Sequence, residues 1–327
     1  MMQDCDTLFM VGSNHPYAEF LPPTGQARGV QIDLSAAHPS LRYPMEVNLI
    51  GDAKTTLAAL LPLLHQTEDL SWQNGAADAM KTWDAVLERV AVVKANPINP
   101  RQVFHLLNER LPENVIVTAD AGTTADWYGH HIRLGANMMG NLSGRLAAML
   151  AAMPYAVSAK FSHPDRPVVC TIGDGAFQML GMNELITVKR HWKEWADPRF
   201  IVLVLHNNDL SQVSWEMREA GDPRYDTSQL VEEMDYAGYA QLMEFTGIRV
   251  EDPDDVAQAW DTAFASDRPV LLDVVTDPNV PPLPGHITYE QAKGIMTALA
   301  HGDPAAGAVV RESLRSVAAE LFAKVKN

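Results

Sequence analysis

The sequence predicts an α/β protein whose larger part is a doubly wound parallel sheet. Three observations lead there. The stretches Val168 to Ile172, Phe200 to Leu205 and Val270 to Val275 are apolar at nearly every position, as strands buried on both faces are. Segments of helical spacing lie between them, so strand and helix alternate. Two of the runs stop abruptly at polar residues, one at Gly173-Asp174-Gly175 and the other at His206-Asn207-Asn208-Asp209.

Taken in order, the first elements are strands at Leu8 to Val11, Gly29 to Asp33 and Val47 to Ile50, then a helix from Thr55 to Leu64. Three strands and one helix make half of a nucleotide-fold layer, a partial Rossmann-like domain over residues 1–75. Polar residues from Gln66 to Asn74 separate it from an amphipathic helix, Ala76 to Ala95, which Asn96-Pro97-Ile98-Asn99-Pro100 stops because proline cannot continue a helix. Residues 76–100 thus read as helix and linker, and 101–280 as the main domain. There a helix from Gln102 to Leu111 precedes strand Val115 to Thr118, and a helix near Met149 to Phe161 precedes Val168 to Ile172. A helix near Asn183 to His191 leads to Phe200 to Leu205, and one after Asp254 leads to Val270 to Val275. Residues 281–327 form a tail that opens on Pro281-Pro282-Leu283-Pro284-Gly285 and continues in helices at Tyr289 to Leu299 and Ala305 to Lys324.

With 327 residues, 47% of them hydrophobic, the chain can bury one large or two medium cores. Its net charge of -16 repels polyanions, and no basic patch offsets it, so neither nucleic acid nor an anionic membrane is an expected partner. Cys5 and Cys170 are the two cysteines, and Cys170 sits inside an apolar strand, which fits a reducing compartment rather than a disulfide framework. No apolar run reaches the roughly 18 residues of a membrane span, and no basic-then-apolar leader opens the sequence, so the cytoplasm is the expected location.

If the two polar-ended strands are parallel neighbours, Asp174 and the Asn207 to Asp209 segment meet at one sheet edge, in the crevice where open α/β sheets bind ligands. Backbone N–H groups at Gly175 and Ala176 would face a phosphate at a helix start while the Asp174 carboxylate binds a neutralising cation. Mg²⁺ prefers about six oxygens, so a few protein ligands with diphosphate and water suit it. Taken singly, each motif is an ordinary turn or strand terminator. A small hydroxylated turn, Asp120-Ala121-Gly122-Thr123-Thr124, follows strand Val115 to Thr118 and could equally cap a helix or approach phosphate. His130, His131, His163, His191 and His286 lack zinc-ligand spacing.

Together, the order strand, Gly-Asp-Gly, helix, strand, Asn-Asn resembles the signature of thiamine diphosphate (ThDP) enzymes. The segments 148–155 and 163–169 resemble the cofactor pocket of pyruvate oxidases and acetolactate synthases. Asn183-Glu184-Leu185, Trp192 to Trp195 and Asp209 to Glu216 look like a less characterised ThDP-requiring group near them, and the tail 282–293 is similar to that of quinone-linked pyruvate oxidases.

The resemblance implies a thiamine diphosphate and Mg²⁺ site with Asp174, Asn207 and Asp209 as metal ligands, Asp209 through its carbonyl. Reading Asn207-Asn208 as the literal motif moves the ligands to Asn208 and Leu210; the register without a gap keeps Asn207 and puts His206 where the family has its first Asn. Gly122, Thr123, Thr124, Ala147, Met149, Gly173, Asp174, Gly175, Ala176, Asn207, Asp209 and Leu210 form the implied cofactor-binding set. Met149 matches the apolar residue that wedges between the cofactor's rings and bends it for intramolecular proton transfer, which makes it the implied catalytic side chain. Without the resemblance it reads as one core methionine among 15. Leu150 and Ala152 replace glycines that many relatives carry.

The implied activity is decarboxylation of a 2-oxo acid such as pyruvate, with transfer or oxidation of the two-carbon unit. In these families a pyrimidine-binding domain supplies an activating glutamate across a dimer interface. That domain has no counterpart in this sequence, which opens like the second half of a middle domain. The expectation is therefore a half-enzyme that needs such a domain from a partner or a longer product, and a homo-oligomer. Binding without turnover is the rival reading. A Mg²⁺-dependent phosphoryl-transfer domain is a third, and it lacks a Gly-x-x-x-x-Gly-Lys-Ser/Thr loop. Gly12 to Phe20 and Gln31 to Asp33 resemble parts of an FAD-binding middle domain, which leaves FAD open. The last helix resembles a membrane-associating tail, but packing on its own protein or a partner is the expected role.

Overall fold

The computed structural model describes residues 2–15, 20–144, 146–282 and 288–325, with side chains up to Glu320. Residues 16–19 of the FAD-like segment and 283–287 of the oxidase-like tail lie outside the described residues. The chain divides into two units, Met1–Lys81 and Thr82–Asn327.

In the first unit, β1 (Thr7–Val11), β2 (Arg28–Asp33) and β3 (Val47–Ile50) form a parallel sheet in that order. Alternation along β1 turns Leu8 and Met10 inward against Leu21, Ala27 and Tyr43. The Tyr43 hydroxyl accepts the Ala27 N–H at 3.0 Å, tying the small core together. Helix α1 (Ala53–Leu60) starts where the Asp52 carboxylate accepts the Thr55 N–H at 2.9 Å. It ends four residues before the expected Leu64 and tightens into a 3₁₀ turn, Leu61–Leu63, because Pro62 has no N–H for the α ladder. Helix α2 (Ser71–Ala91) begins inside the polar stretch expected to separate the first domain from it, where Asp69 accepts the Ser71 N–H. Its last turns bury Val86, Leu87, Val90 and Ala91.

The second unit contains α3 (Pro100–Asn108), β4 (Ile116–Ala119), α4 (Thr123–His131), β5 (Met139–Leu142), α5 (Ala152–Ser162) and β6 (Val168–Gly173). A short α6 (Asp174–Ala176) runs through a π turn, Phe177–Gly181, into α7 (Met182–His191). Then come β7 (Phe200–His206), α8 (Ser211–Ala220), α9 (Asp226–Gln229), α10 (Tyr236–Leu242), β8 (Thr246–Val250), α11 (Val256–Phe264) and β9 (Val270–Val275). Helices α12 (Tyr289–Ala300) and α13 (Ala306–Val325) follow.

All six strands are parallel, in the order β5-β4-β6-β7-β9-β8. Ile201, Leu203 and Leu205 of β7 pack on one face with α3 and α11 through Phe104, Leu107 and Trp260. Phe200, Val202 and Val204 pack on the other with α5 and α7 through Met153, Ala156 and Leu185. That two-sided burial explains the unbroken apolar runs. The fold class is thus the predicted one, a doubly wound α/β sheet. The sequence reading passed over β5 and β8, because edge strands need no continuous apolar run and these contain Gly140, Gly247 and Arg249. After β4 the chain first adds β5 on one side and then crosses to add β6 on the other. The carboxyl ends of β4 and β6 therefore flank a topological switch point, the usual ligand crevice of such sheets. Among the described residues no helix is long and apolar enough to cross a membrane.

Candidate functional site

Asp174 is the first residue after β6 and is 2% exposed. Its Oδ1 accepts the Gly175 N–H at 2.8 Å, and its Oδ2 accepts those of Asn207 at 2.8 Å and Asn208 at 2.6 Å. Neighbouring parallel strands thus join at their carboxyl ends through one carboxylate. Burial pushes the Asp174 carboxyl up to about 6 even though three N–H groups stabilise its charged form.

Asn207 and Asn208 part ways at this point. Asn208 adopts a left-handed φ of 54°, a conformation Asn tolerates better than most residues. Its side chain turns to His206, with Oδ1 2.9 Å from Nε2, and to Glu233, to which Nδ2 donates at 2.6 Å. Asn207 instead lines the crevice, with Oδ1 accepting the Asp209 N–H at 3.0 Å and Nδ2 donating to the Ser211 hydroxyl at 3.3 Å. The His206 ring is fully buried, and its Nδ1 lies 2.7 Å from Asp273 Oδ1. Burial would lower its pKa, but the Asp273 and Glu233 carboxylates outweigh it and the pKa is raised. The carboxylate of Asp209 is held by the Ser214 hydroxyl at 2.8 Å, leaving Oδ2 without a hydrogen-bond partner.

The opposite wall is the turn after β4. Gly122, at φ 78°, precedes α4, and no side chain caps that helix; a left-handed residue there favours glycine. Thr123 spends its hydroxyl on Ser211, at 3.1 Å, rather than on a cap. Met149 lies in the turn before α5, which starts at Ala152 and not at Met149 as the spacing suggested. A Cβ on Gly175 would stand 2.5 Å from Leu210 Cδ2, 3.3 Å from Val231 Cγ2 and 3.8 Å from Met149 Cε, so only glycine lets these side chains pack this closely on the floor of the site.

The result is a solvent-open cleft at the carboxyl ends of the strands. It is lined by Gly122, Thr123, Thr124, Met149, Gly173, Asp174, Gly175, Ala176, Asn207, Asp209 and Leu210, which come from four separate stretches of the sequence. Ala147, also in the expected set, is absent from the lining and has a left-handed φ of 47°. Ala121, Leu205, Ser211, Gln212 and Val213 line the cleft as well and were missed. The last three form the first turn of α8, a helix that the sequence reading did not place. The hydroxyl spacing Ser211, Ser214 beside Asp209 was the signal available. Among the described residues, no three His, Cys, Asp or Glu side chains gather as a metal cage.

Residues 120–274 match the thiamine pyrophosphate enzyme C-terminal TPP binding domain, thiamine pyrophosphate being another name for ThDP. Residues 120–274 belong to the thiamine pyrophosphate enzyme C-terminal domain family. Every residue lining the cleft lies within that thiamine pyrophosphate-binding region. Similarity extends further along the chain. A Bacillus subtilis protein named for containing thiamine pyrophosphate is 32% identical over 90% of this chain and 49% of its own length. The acetolactate synthase isozyme 2 large subunit of Escherichia coli is 30% identical over 86% of this chain and 50% of its own. A pyruvate oxidase of Lactiplantibacillus plantarum is 25% identical, over 84% and 45% respectively. The chain thus spans about half the length of the curated relatives it matches.

Proposed function

We propose that the cleft between the ends of β4, β6 and β7 binds ThDP by its diphosphate together with Mg²⁺, as part of an enzyme that decarboxylates a 2-oxo acid of the pyruvate type. The observation that carries this reading is the buried Asp174 carboxylate, joined to the amides of Asn207 and Asn208 at a topological switch point. The residues fit the group. Asp174 and Asn207 offer hard oxygen ligands, too few for a closed cage and suited to an ion that completes its shell with diphosphate and water. Gly175, with no Cβ, lets Leu210 and Met149 pack directly over the backbone that follows the Asp174 carboxylate.

In this reading Asp174, Asn207 and the Asp209 carbonyl hold the metal. Gly122, Thr123 and Thr124 face the diphosphate from the other wall, and Met149 supports the cofactor's rings. Bound ThDP supplies the electron sink that decarboxylation requires. The names of the relatives, pyruvate oxidase and acetolactate synthase, support a 2-oxo acid substrate. The aminopyrimidine end would be met by a pyrimidine-binding domain carried on the rest of a longer chain or on a partner, and a shared site of that kind goes with a homo-oligomer.

Titration calorimetry of the purified chain with ThDP and Mg²⁺ tests the assignment. Asp174→Ala is expected to weaken binding by about a hundredfold or more, since it removes a ligand rather than a ligand's support. No binding by the unmutated chain, or equal binding by the variant, would overturn it.

A further inference from the structure

Asp120 follows β4 and is completely buried. Its Oδ1 accepts the N–H groups of Ala121 at 2.9 Å and Leu150 at 2.8 Å, and its Oδ2 accepts that of Ala152 at 3.0 Å. Thr118, two residues earlier, donates its hydroxyl to the Ala152 carbonyl at 3.0 Å. Ala152 is the first residue of α5, a helix with no side-chain cap of its own. Asp120 therefore does from a different strand what a capping residue does locally, with its negative charge at the favourable helix end.

The turn held in this way is strained. Ala147 has a φ of 47° and Leu150 a φ of 68°, left-handed conformations that a residue with a Cβ seldom adopts without outside support. Met149 lies between them, its methyl directed toward Gly175. Two of the three N–H groups on Asp120 belong to the residues that follow Met149.

We propose that Asp120 is a positioning residue for the cofactor: by fixing Leu150 and Ala152 it sets where Met149 stands in the cleft, and so how the ring portion of ThDP is received. The inference rests on the cofactor reading above and adds a division of labour to it. Asp174 and Asn207 serve the diphosphate end; Asp120 acts on the ring end through Met149.

Asp120→Asn is the informative variant. Its amide keeps one oxygen for Ala121 and Leu150 but turns an N–H donor toward the Ala152 N–H. Hydrogen exchange on the full ligand-free chain is expected to quicken in peptides spanning 147–153 and to stay unchanged at 174–176. Calorimetry with Mg²⁺ is expected to show affinity for ThDP falling about tenfold while affinity for inorganic pyrophosphate, which has no rings, changes less than about twofold. Combined with Met149→Ala, the variant is expected to lose no more ThDP affinity than Met149→Ala alone. Unchanged exchange at 147–153, or equal losses for ThDP and pyrophosphate, would overturn the proposal. If the unmutated chain binds neither ligand, the cofactor reading fails, while the exchange data still decide whether Asp120 holds the turn. Should Asp120→Asn not fold, Thr118→Val removes the other tie to Ala152 without touching a charge. The same selective loosening and ThDP-only loss are expected from it, and their absence overturns the proposal equally.

Discussion

At Gly175, three side chains converge on the space a Cβ would need, with Leu210 at 2.5 Å and Val231 at 3.3 Å. Gly175→Ala forces Leu210 to swing, while Val231 limits where it can go. The variant is expected to fold with a loss of about 1–3 kcal/mol from overpacking, and with weaker ThDP binding. Thermal melts and calorimetry on one preparation separate the two effects, and a variant that binds ThDP as well as the unmutated chain would remove Gly175 from the floor of the site. Such residue-scale facts were partly legible. Gly-Asp-Gly after an apolar run put Asp174 at a strand end, where it lies after β6, because strand termination and turn chemistry are local. Which of Asn207 and Asn208 lines the crevice was not legible. It depends on the left-handed Asn208 backbone and on the pull of His206 and Glu233, the latter 25 residues further along the chain.

At the scale of elements, α4 and α8 carry a pH dependence. Asp126 of α4 is pushed up to about 7, mainly by burial and then by Glu216 and Glu219 of α8. Glu216 and Glu219 are tied down by Gln212 and Gln291. A carboxyl whose folded pKa lies above its ordinary value of 3.8 makes the folded state the better proton binder between those values. Stability is therefore lost as pH rises from 3.8 through about 7. Asp126→Asn is expected to raise the melting temperature at pH 8 and to leave it nearly unchanged at pH 4. An equal shift at both would mean that the variant acts through packing instead. Elements also mark where sequence reading stops working. The central strands β6, β7 and β9 announce themselves because both faces are covered, whereas β5 and β8 border solvent. In α2, periodicity found the helix but not its start, since the polar first turns at Ser71 to Gly75 bury almost nothing.

Across the whole molecule, all residues lining the cleft fall between Ala121 and Val213, inside the unit Thr82–Asn327. A chain begun at Ser71 keeps α2 entire along with that unit. It is expected to unfold cooperatively and to bind Mg²⁺ with pyrophosphate within about twofold of the full-length value, as a domain with its own core does. Loss of cooperative unfolding in circular dichroism would show that the first unit is needed to maintain the second.

The three N–H bonds on Asp174 bear on how the proposed ion and cofactor would depend on each other. A carboxylate has about four lone-pair directions, and Gly175, Asn207 and Asn208 take three of them. One remains for a cation, which on that single bond and its few neighbours would come and go freely. Each guest then completes the seat of the other, and linkage fixes the symmetry: the factor by which Mg²⁺ tightens ThDP equals the factor by which ThDP tightens Mg²⁺. Falling free magnesium would release the vitamin cofactor, and scarce cofactor would leave the metal seat vacant, with no conformational switch needed to couple them.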